Sequence, residues 1–243
     1  MSFFKDWRYL IEFSYRDGLV SHLELARLTQ MRQKRIALLV DLLRNIPDDV
    51  VCSFRDRLIE KGVHTKGGKY FDLLTHLARA VSDADKLGLI QKKRRLNVLD
   101  LGTGCGYFPL VCRHVGHSVS AIDKQQGKYG YAREKLSIDA VQWEITSQNP
   151  LPKFEQCFDL VTAFQPVFFL YRSGHYGDLW NSEEWENFFS NLKGTICLNG
   201  KFYLGANNTS SVDPRSVLAM RRHFKKKGGK RISDGWMFEK NSL

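Results

Sequence analysis

The stretch Asn97-Val98-Leu99-Asp100-Leu101-Gly102-Thr103-Gly104-Cys105-Gly106 constrains the fold more than any other part of the chain. Its first five residues are a short apolar run without helical spacing, which reads as a buried strand. Three glycines in the next five positions then allow a tight turn and close backbone approach to a ligand. A helical stretch follows, and SVSAID (118–123) reads as a second strand. Strand, glycine loop, helix and strand make up the unit from which doubly wound parallel sheets are built.

The alternation continues to the end of the chain. GKYGYAREKLSID reads as helix, AVQWEI and FDLVTAF as strands, SEEWENFFSNLKGTI as helix and KFYLGAN as strand, followed by a helix, DPRSVLAMRRHFKKKG, and one closing strand, ISDGWMFEK. Asn181 or Ser182 can cap the SEEW helix, whose apolar stripe is Trp185, Phe188, Phe189, Leu192 and Ile196. Residues 1–90 differ. LARLTQMRQKRIALLVDLLRNIPDD has Leu25, Leu28, Ile36, Leu39, Val40 and Leu43 at helical spacings with Pro47 closing it. VVCSFRDRLIEKG stops at Gly62 as a C-cap, and FDLLTHLARAVSDADKLGL repeats the helical pattern from Phe71. The expected fold class is therefore α/β: a doubly wound, mostly parallel sheet over residues 91–243, with helices on both faces, behind a helical N-terminal region of residues 1–90. A length of 243 residues suits one such domain with an appendage.

The chain has no run of 18 apolar residues, and Lys5, Asp6 and Arg8 interrupt its N-terminus, so a soluble cytoplasmic protein without membrane partners is expected. Five cysteines without a C-x-x-C pair are expected to be buried reduced thiols, with no zinc cluster and no disulfide framework. The formal net charge is +11, and the excess is not in one half: residues 1–96 hold 19 Lys+Arg against 12 Asp+Glu, and residues 97–243 hold 18 against 14. Two local clusters stand out, Lys92 to Arg95 and Arg221 to Arg231. A solvated loop and a helix whose last turn suits its dipole explain them in the first instance, with a polyanion site as the rival.

The glycine loop carries acids that bear on its ligand. Asp123 lies 21 residues after Gly102 at the end of the next strand, where a carboxylate can hold a ribose diol. Asp100 precedes the first glycine by two residues, a position unfavourable beside a pyrophosphate and suited to a cationic ligand. In VLDLGTGCGYF, AIDKQQGKYGYAREKL, FDLVTAF and LNGKFYLGAN the sequence resembles the class I S-adenosylmethionine-dependent methyltransferases, over roughly residues 97–205 and in the manner of small bacterial members of undefined substrate. The resemblance implies a Rossmann-like fold, S-adenosylmethionine as cofactor and no metal. It places Gly102, Thr103, Gly104, Cys105 and Gly106 along the methionine part, with Asp100 ordering the loop and the ligand's amino group. Asp123 falls on the ribose and Lys124 by the adenine; where the family often has an acid for the adenine amino group this chain departs, and the Thr146 hydroxyl or a backbone carbonyl takes that place.

The methyl acceptor is less constrained. TAFQPVFF (162–169) comes close to the [DNS]-P-P-[YF] signature of amino-group methyltransferases, but counting from Asp159 its amide falls one residue late. Phe164 and Gln165 are expected to face the methyl end of the cofactor. Beyond them, Tyr171, Arg172, His175, Tyr176 and Asp178 decorate a long loop. His175 has an imidazole suited to general-base work, while Tyr171 and Tyr176 suit a pocket wall. The expected function is methyl transfer to oxygen or nitrogen of a small molecule or glycan-like metabolite. An RNA or DNA methyltransferase is the alternative, and a non-catalytic cofactor-binding scaffold a further one.

Overall fold

A computed structural model describes residues 3–17, 31–62, 65, 67–91, 93–124, 127–164, 166, 169, 171–172, 175–176, 179–205 and 212–243. The chain forms two compact units, the first of residues 1–94, 104–116 and 126–139, the second of residues 95–103, 117–125 and 140–243.

The first unit is helical. Its elements are α1 (Phe3–Asp17), α2 (Gln33–Arg44), α3 (Asp48–Lys61), α4 (Leu73–Lys86), α5 (Tyr107–His114) and α6 (Lys128–Lys135). Leu39, Val40 and Leu43 on α2 and Leu77, Val81 and Ala84 on α4 are buried at helical spacing where these two helices pack. Each large aliphatic side chain removed from water there contributes about 1.5–3 kcal/mol. Beside this core Asp85 of α4 receives Lys34 and Arg35 of α2, each at 2.7 Å. Burial would raise the pKa of Asp85, but the hydrogen bonds from Lys34 and Arg35 outweigh it and hold the carboxyl below its ordinary value. Gly62 ends α3 at φ +80°, the left-handed backbone expected of a glycine stop. Two expectations shift. Leu25 and Leu28 lie outside the described residues, and α2 ends at Arg44, so Pro47 does not close it but stands as the N-cap of α3. Phe71 falls in a single 3-10 turn, because Asp72 interrupts the pattern to cap α4 by accepting from the Thr75 N–H at 3.0 Å.

The second unit is built on a seven-stranded sheet. Its strands are β1 (Asn97–Leu101), β2 (Ser118–Asp123), β3 (Val141–Gln142), β4 (Phe158–Ala163), β7 (Ile196–Gly205), β8 (Lys230–Ile232) and β9 (Gly235–Glu239), in the order β3-β2-β1-β4-β7-β9-β8. The first five in that order run parallel, and β9 is antiparallel to both its neighbours. From β1 the chain steps outward through β2 to β3, then returns to place β4 and β7 on the other side of β1. That reversal is the doubly wound, Rossmann-like topology, with its switch point between β1 and β4.

Two helices of this unit, α7 (Ser182–Lys193) and α8 (Pro214–Lys226), bury Trp185, Phe188, Phe189, Leu192, Val217 and Phe224 in one core with Phe158, Phe202 and Phe238 of the sheet. Asn181 caps α7 through a full capping box with Glu184. Ile196 is not on that helix. It opens β7, since Gly194 and Thr195 end the helical run while the apolar spacing continues by coincidence into the strand. The strand expected over 140–145 shortens to Val141–Gln142. The single closing strand becomes a β8–β9 hairpin, with Ser233 at φ +55° in the turn.

The expectation of five reduced thiols is corrected by a Cys157–Cys197 disulfide with an S–S distance of 2.06 Å. Its halves are 40 residues apart in sequence, and a search for short C-x-x-C spacings misses them. The pairing of Phe158 with Ile196 at the amino ends of β4 and β7 brings them together. Cys52, Cys105 and Cys112 remain thiols. Among the described residues no helix is long and apolar enough to cross a membrane.

Candidate functional site

In an open parallel sheet, ligands bind outside the carboxyl ends of the strands at the switch point. In the second unit that edge carries Asp100, Gly102, Thr103, Asp123, Lys124 and Phe164. Asp100, 3% exposed, stands opposite Thr162 of β4, and the Thr162 hydroxyl donates to Asp100 Oδ1 at 2.7 Å. After β1 the backbone folds over the end of β2: the N–H groups of Gly102 and Thr103 donate to the Ile122 carbonyl at 2.8 and 3.1 Å. Gly102 sits at φ +70°, and a Cβ placed on it would meet no atom within 4 Å. Glycine is thus demanded there by backbone conformation, with open space beside it. The Thr103 hydroxyl oxygen is buried without a hydrogen-bond partner, a condition uncommon in folded proteins and one that a polar ligand group would relieve.

Asp123 ends β2 and is 7% exposed, and its backbone carbonyl accepts from Trp143 N–H at 3.1 Å. Asp100 and Asp123 therefore lie on adjacent parallel strands at the same edge, both largely withdrawn from water. Lys124, next in the chain, reaches Glu144 at 2.7 Å, a pair exposed enough to exchange partners at little cost. The Thr146 oxygen accepts from the Asn149 N–H at 2.9 Å and closes a local turn. Phe164 ends the β4 segment with its ring centroid 5.3 Å from that of Tyr203, whose hydroxyl donates to Asp234 at 3.2 Å. Gln165 and Asp178 lie outside the described residues. Tyr171–Arg172 (β5) and His175–Tyr176 (β6) form a two-stranded antiparallel ladder that pairs Tyr171 with Tyr176 and Arg172 with His175. His175, the candidate base, and the two tyrosines expected to wall the pocket thus share one two-stranded ladder, with both tyrosines at one register position and His175 at the next.

The rest of the glycine loop belongs to the first unit. The Gly104 carbonyl accepts from buried Arg133 at 2.5 Å. At Gly106, φ +83°, a Cβ would lie 3.0 Å from Ile138 Cγ2, so close packing as well as conformation selects glycine. Cys105 is buried. Tyr107 opens α5 and donates its hydroxyl to the Tyr70 carbonyl at 2.6 Å. Burial, with the charges of Cys105 and Asp72, raises the Tyr107 pKa well above its usual value, which fits it to anchor the helix start and not to take a proton.

The partner that sequence reasoning missed is Thr162. It opens the TAFQPVFF segment that was read for its Gln-Pro pair, and its link to Asp100 spans 62 residues. Only the β1–β4 register reveals it. Asp159, the acid of the F-D pair, accepts from the Asn97 N–H at 2.9 Å and ties the opposite end of β4 to β1.

No protein-family profile and no curated protein matches the chain. Solved structures do. The PH0226 protein of Pyrococcus horikoshii OT3 is similar at 17% identity and a TM-score of 0.40, over 59% of this chain and 60% of that one. A ribosomal protein L11 methylase from Lactobacillus delbrueckii subsp. bulgaricus is similar at 16% identity and 0.40, over 63% and 74%. A TehB-like SAM-dependent methyltransferase from Corynebacterium glutamicum is similar at 18% identity and 0.41, over 61% and 71%.

Proposed function

We propose that the chain is an S-adenosylmethionine-dependent methyltransferase acting on an oxygen or nitrogen acceptor. The observation that carries this is the edge formed by Asp100, Gly102, Thr103 and Asp123. It has two buried carboxylates, an open turn at Gly102 and an orphaned Thr103 hydroxyl, and it suits a ligand that combines a diol with cationic groups. Asp123 offers two acceptor oxygens to vicinal ribose hydroxyls. Asp100, oriented by Thr162, offers negative charge to the ammonium and sulfonium end. Thr103 gains a polar partner.

The cofactor supplies an electrophilic methyl group on sulfur. What the protein adds in such a displacement is alignment at near-attack distance, with water kept out. Phe164 would form an apolar wall there. For a hydroxyl or ammonium acceptor a proton must also leave, and His175 is the candidate to receive it, with Tyr171 and Tyr176 as pocket walls. A small molecule or glycan-like metabolite as acceptor rests on the one-residue slip of the 162–169 segment from the amino-methyltransferase signature. A nucleic-acid acceptor is favoured by a different observation, the distribution of charge taken up below.

Titration calorimetry with S-adenosylmethionine and S-adenosylhomocysteine tests the proposal. Both are expected to bind, and Asp123→Ala to abolish most of the affinity. A chain that binds neither is no methyltransferase, and one that binds both but releases no product across metabolite and RNA panels is a scaffold.

A further inference from the structure

The positive charge of this chain is concentrated. Between Arg215 and Arg231 there are eight Lys and Arg and no Asp or Glu, so this short segment holds eight of the formal excess of +11. The remainder of residues 97–243 carries ten Lys+Arg against fourteen Asp+Glu. The segment forms α8 and β8, on which Arg221, Arg222, Lys225, Lys226, Lys230 and Arg231 are exposed.

Several cations elsewhere in the chain have acids for neighbours, as with Lys34 and Arg35 on Asp85, Lys124 on Glu144 and Lys201 on Glu239. In this segment Lys227 reaches Glu186 at 2.7 Å. Among the described residues, the six exposed cations make no ion pair with an acid. The helix dipole accounts for Lys225 and Lys226 in the last turn of α8. It does not account for Arg221 and Arg222 before that turn, nor for Lys230 and Arg231 on a strand.

The kind of partner follows from what the surface lacks. A helix that lies on a bilayer needs an apolar face beside its cations. In α8 the apolar Val217 and Phe224 are buried in the core, leaving Leu218 as its exposed large hydrophobic residue. Spaced point charges without an apolar face fit a phosphodiester backbone. Because the cations are divided between a helix and the edge strand of the sheet, a flexible single strand can follow them, while a stiff duplex meets them only where its own geometry matches.

We propose that α8 and β8 form a surface that binds the backbone of single-stranded RNA through Arg221, Arg222, Lys225, Lys226, Lys230 and Arg231. This surface stands whether or not the chain transfers methyl groups, and its test needs no cofactor.

The test is fluorescence anisotropy of a labelled 20-nucleotide single-stranded RNA with the full chain, titrated at several salt concentrations. With about six phosphate contacts, the logarithm of affinity is expected to fall with the logarithm of salt at a slope of roughly −4. Replacing Arg221, Arg222, Lys225 and Lys226 together by Gln should weaken binding at least about tenfold at low salt and flatten the slope by about 3 units. A matched variant with Lys5, Arg8, Lys61 and Lys153 changed to Gln alters net charge equally and should bind as the wild type does. Equal losses in the two variants overturn the proposal, as does an unmodified chain that leaves the RNA unbound at low salt. Tighter binding to a DNA duplex, or retention only on phosphatidylserine vesicles, also overturns it. If circular dichroism shows the α8 variant unfolded, the Lys230→Gln, Arg231→Gln double variant decides: a slope flattened by about 1 supports the surface, and an unchanged slope overturns it.

Discussion

Asp72 and Asp85 of the helical unit differ from Asp100 and Asp123 of the sheet unit in what surrounds them. In the helical unit, Asp85 is answered by two cations within 2.7 Å, and Asp72 by the Thr75 N–H at the start of α4. Local structure accounts for both. In the sheet unit, Asp100 and Asp123 stand on adjacent strands toward the carboxyl edge, where Asp100 takes a hydroxyl from Thr162 and the hydroxyl of Thr103 is left buried and unanswered. Charge placed beside cations stabilises the chain itself. The sheet edge beside Asp100 adds an open turn at Gly102 and a buried hydroxyl at Thr103 without a hydrogen-bond partner.

That contrast can be broken by substitution. The largest expected effect is at Asp85. Asp85→Ala leaves two cations partly buried beside an apolar core, so denaturant unfolding should show a loss of about 3 kcal/mol, with cofactor affinity unchanged. The same carboxyl sets an acid limit. Its folded pKa is lowered, so its contribution is fully present above the unfolded value and is lost as pH falls through the folded one. Melting curves between neutral pH and pH 3 should therefore fall more steeply for the wild type than for Asp85→Asn.

Asp123→Ala should do the reverse. Calorimetry should show at least about a 50-fold loss of S-adenosylmethionine affinity, roughly 2.3 kcal/mol, while the unfolding midpoint moves little. Equal effects on stability and binding would erase the distinction between the units. Thr162→Val sharpens it, since Asp100 loses a buried donor: a loss of about 1–2 kcal/mol in stability is expected, together with weaker cofactor binding. The smallest effect belongs to His223, whose pKa is lowered by burial against the opposing pull of Glu186. Its contribution is present above the unfolded imidazole value of 6.5 and is lost as pH falls below it. His223→Gln should make the melting temperature flatter between pH 7 and 5 than it is in the wild type.

The features legible in the sequence were those that depend on neighbours along the chain. β1, the glycine turn and Asp123 at the end of β2 follow from a change of periodicity and a spacing. The Asn181 cap with its acidic first turn, and the stop at Gly62, are equally local. What escaped depends on register between distant strands. The link from Thr162 to Asp100 and the Cys157–Cys197 bond exist only once β4 lies between β1 and β7. The β8–β9 hairpin reads as one strand in the sequence because the Ser233-Asp234 turn interrupts an otherwise continuous run by so few residues. The charge on α8 and β8 was visible as a cluster, but its lack of opposing acids emerged only from the positions of the other cations.

The disulfide has a practical consequence for anyone preparing this protein. Cys157 and Cys197 join the amino ends of β4 and β7 covalently, closing a loop that contains β4, β5, β6 and the whole of α7. Material made in a reducing host and material refolded in air are then different molecules with one sequence. Unless the thiol content of each batch is counted first, a melting curve from one says little about the other.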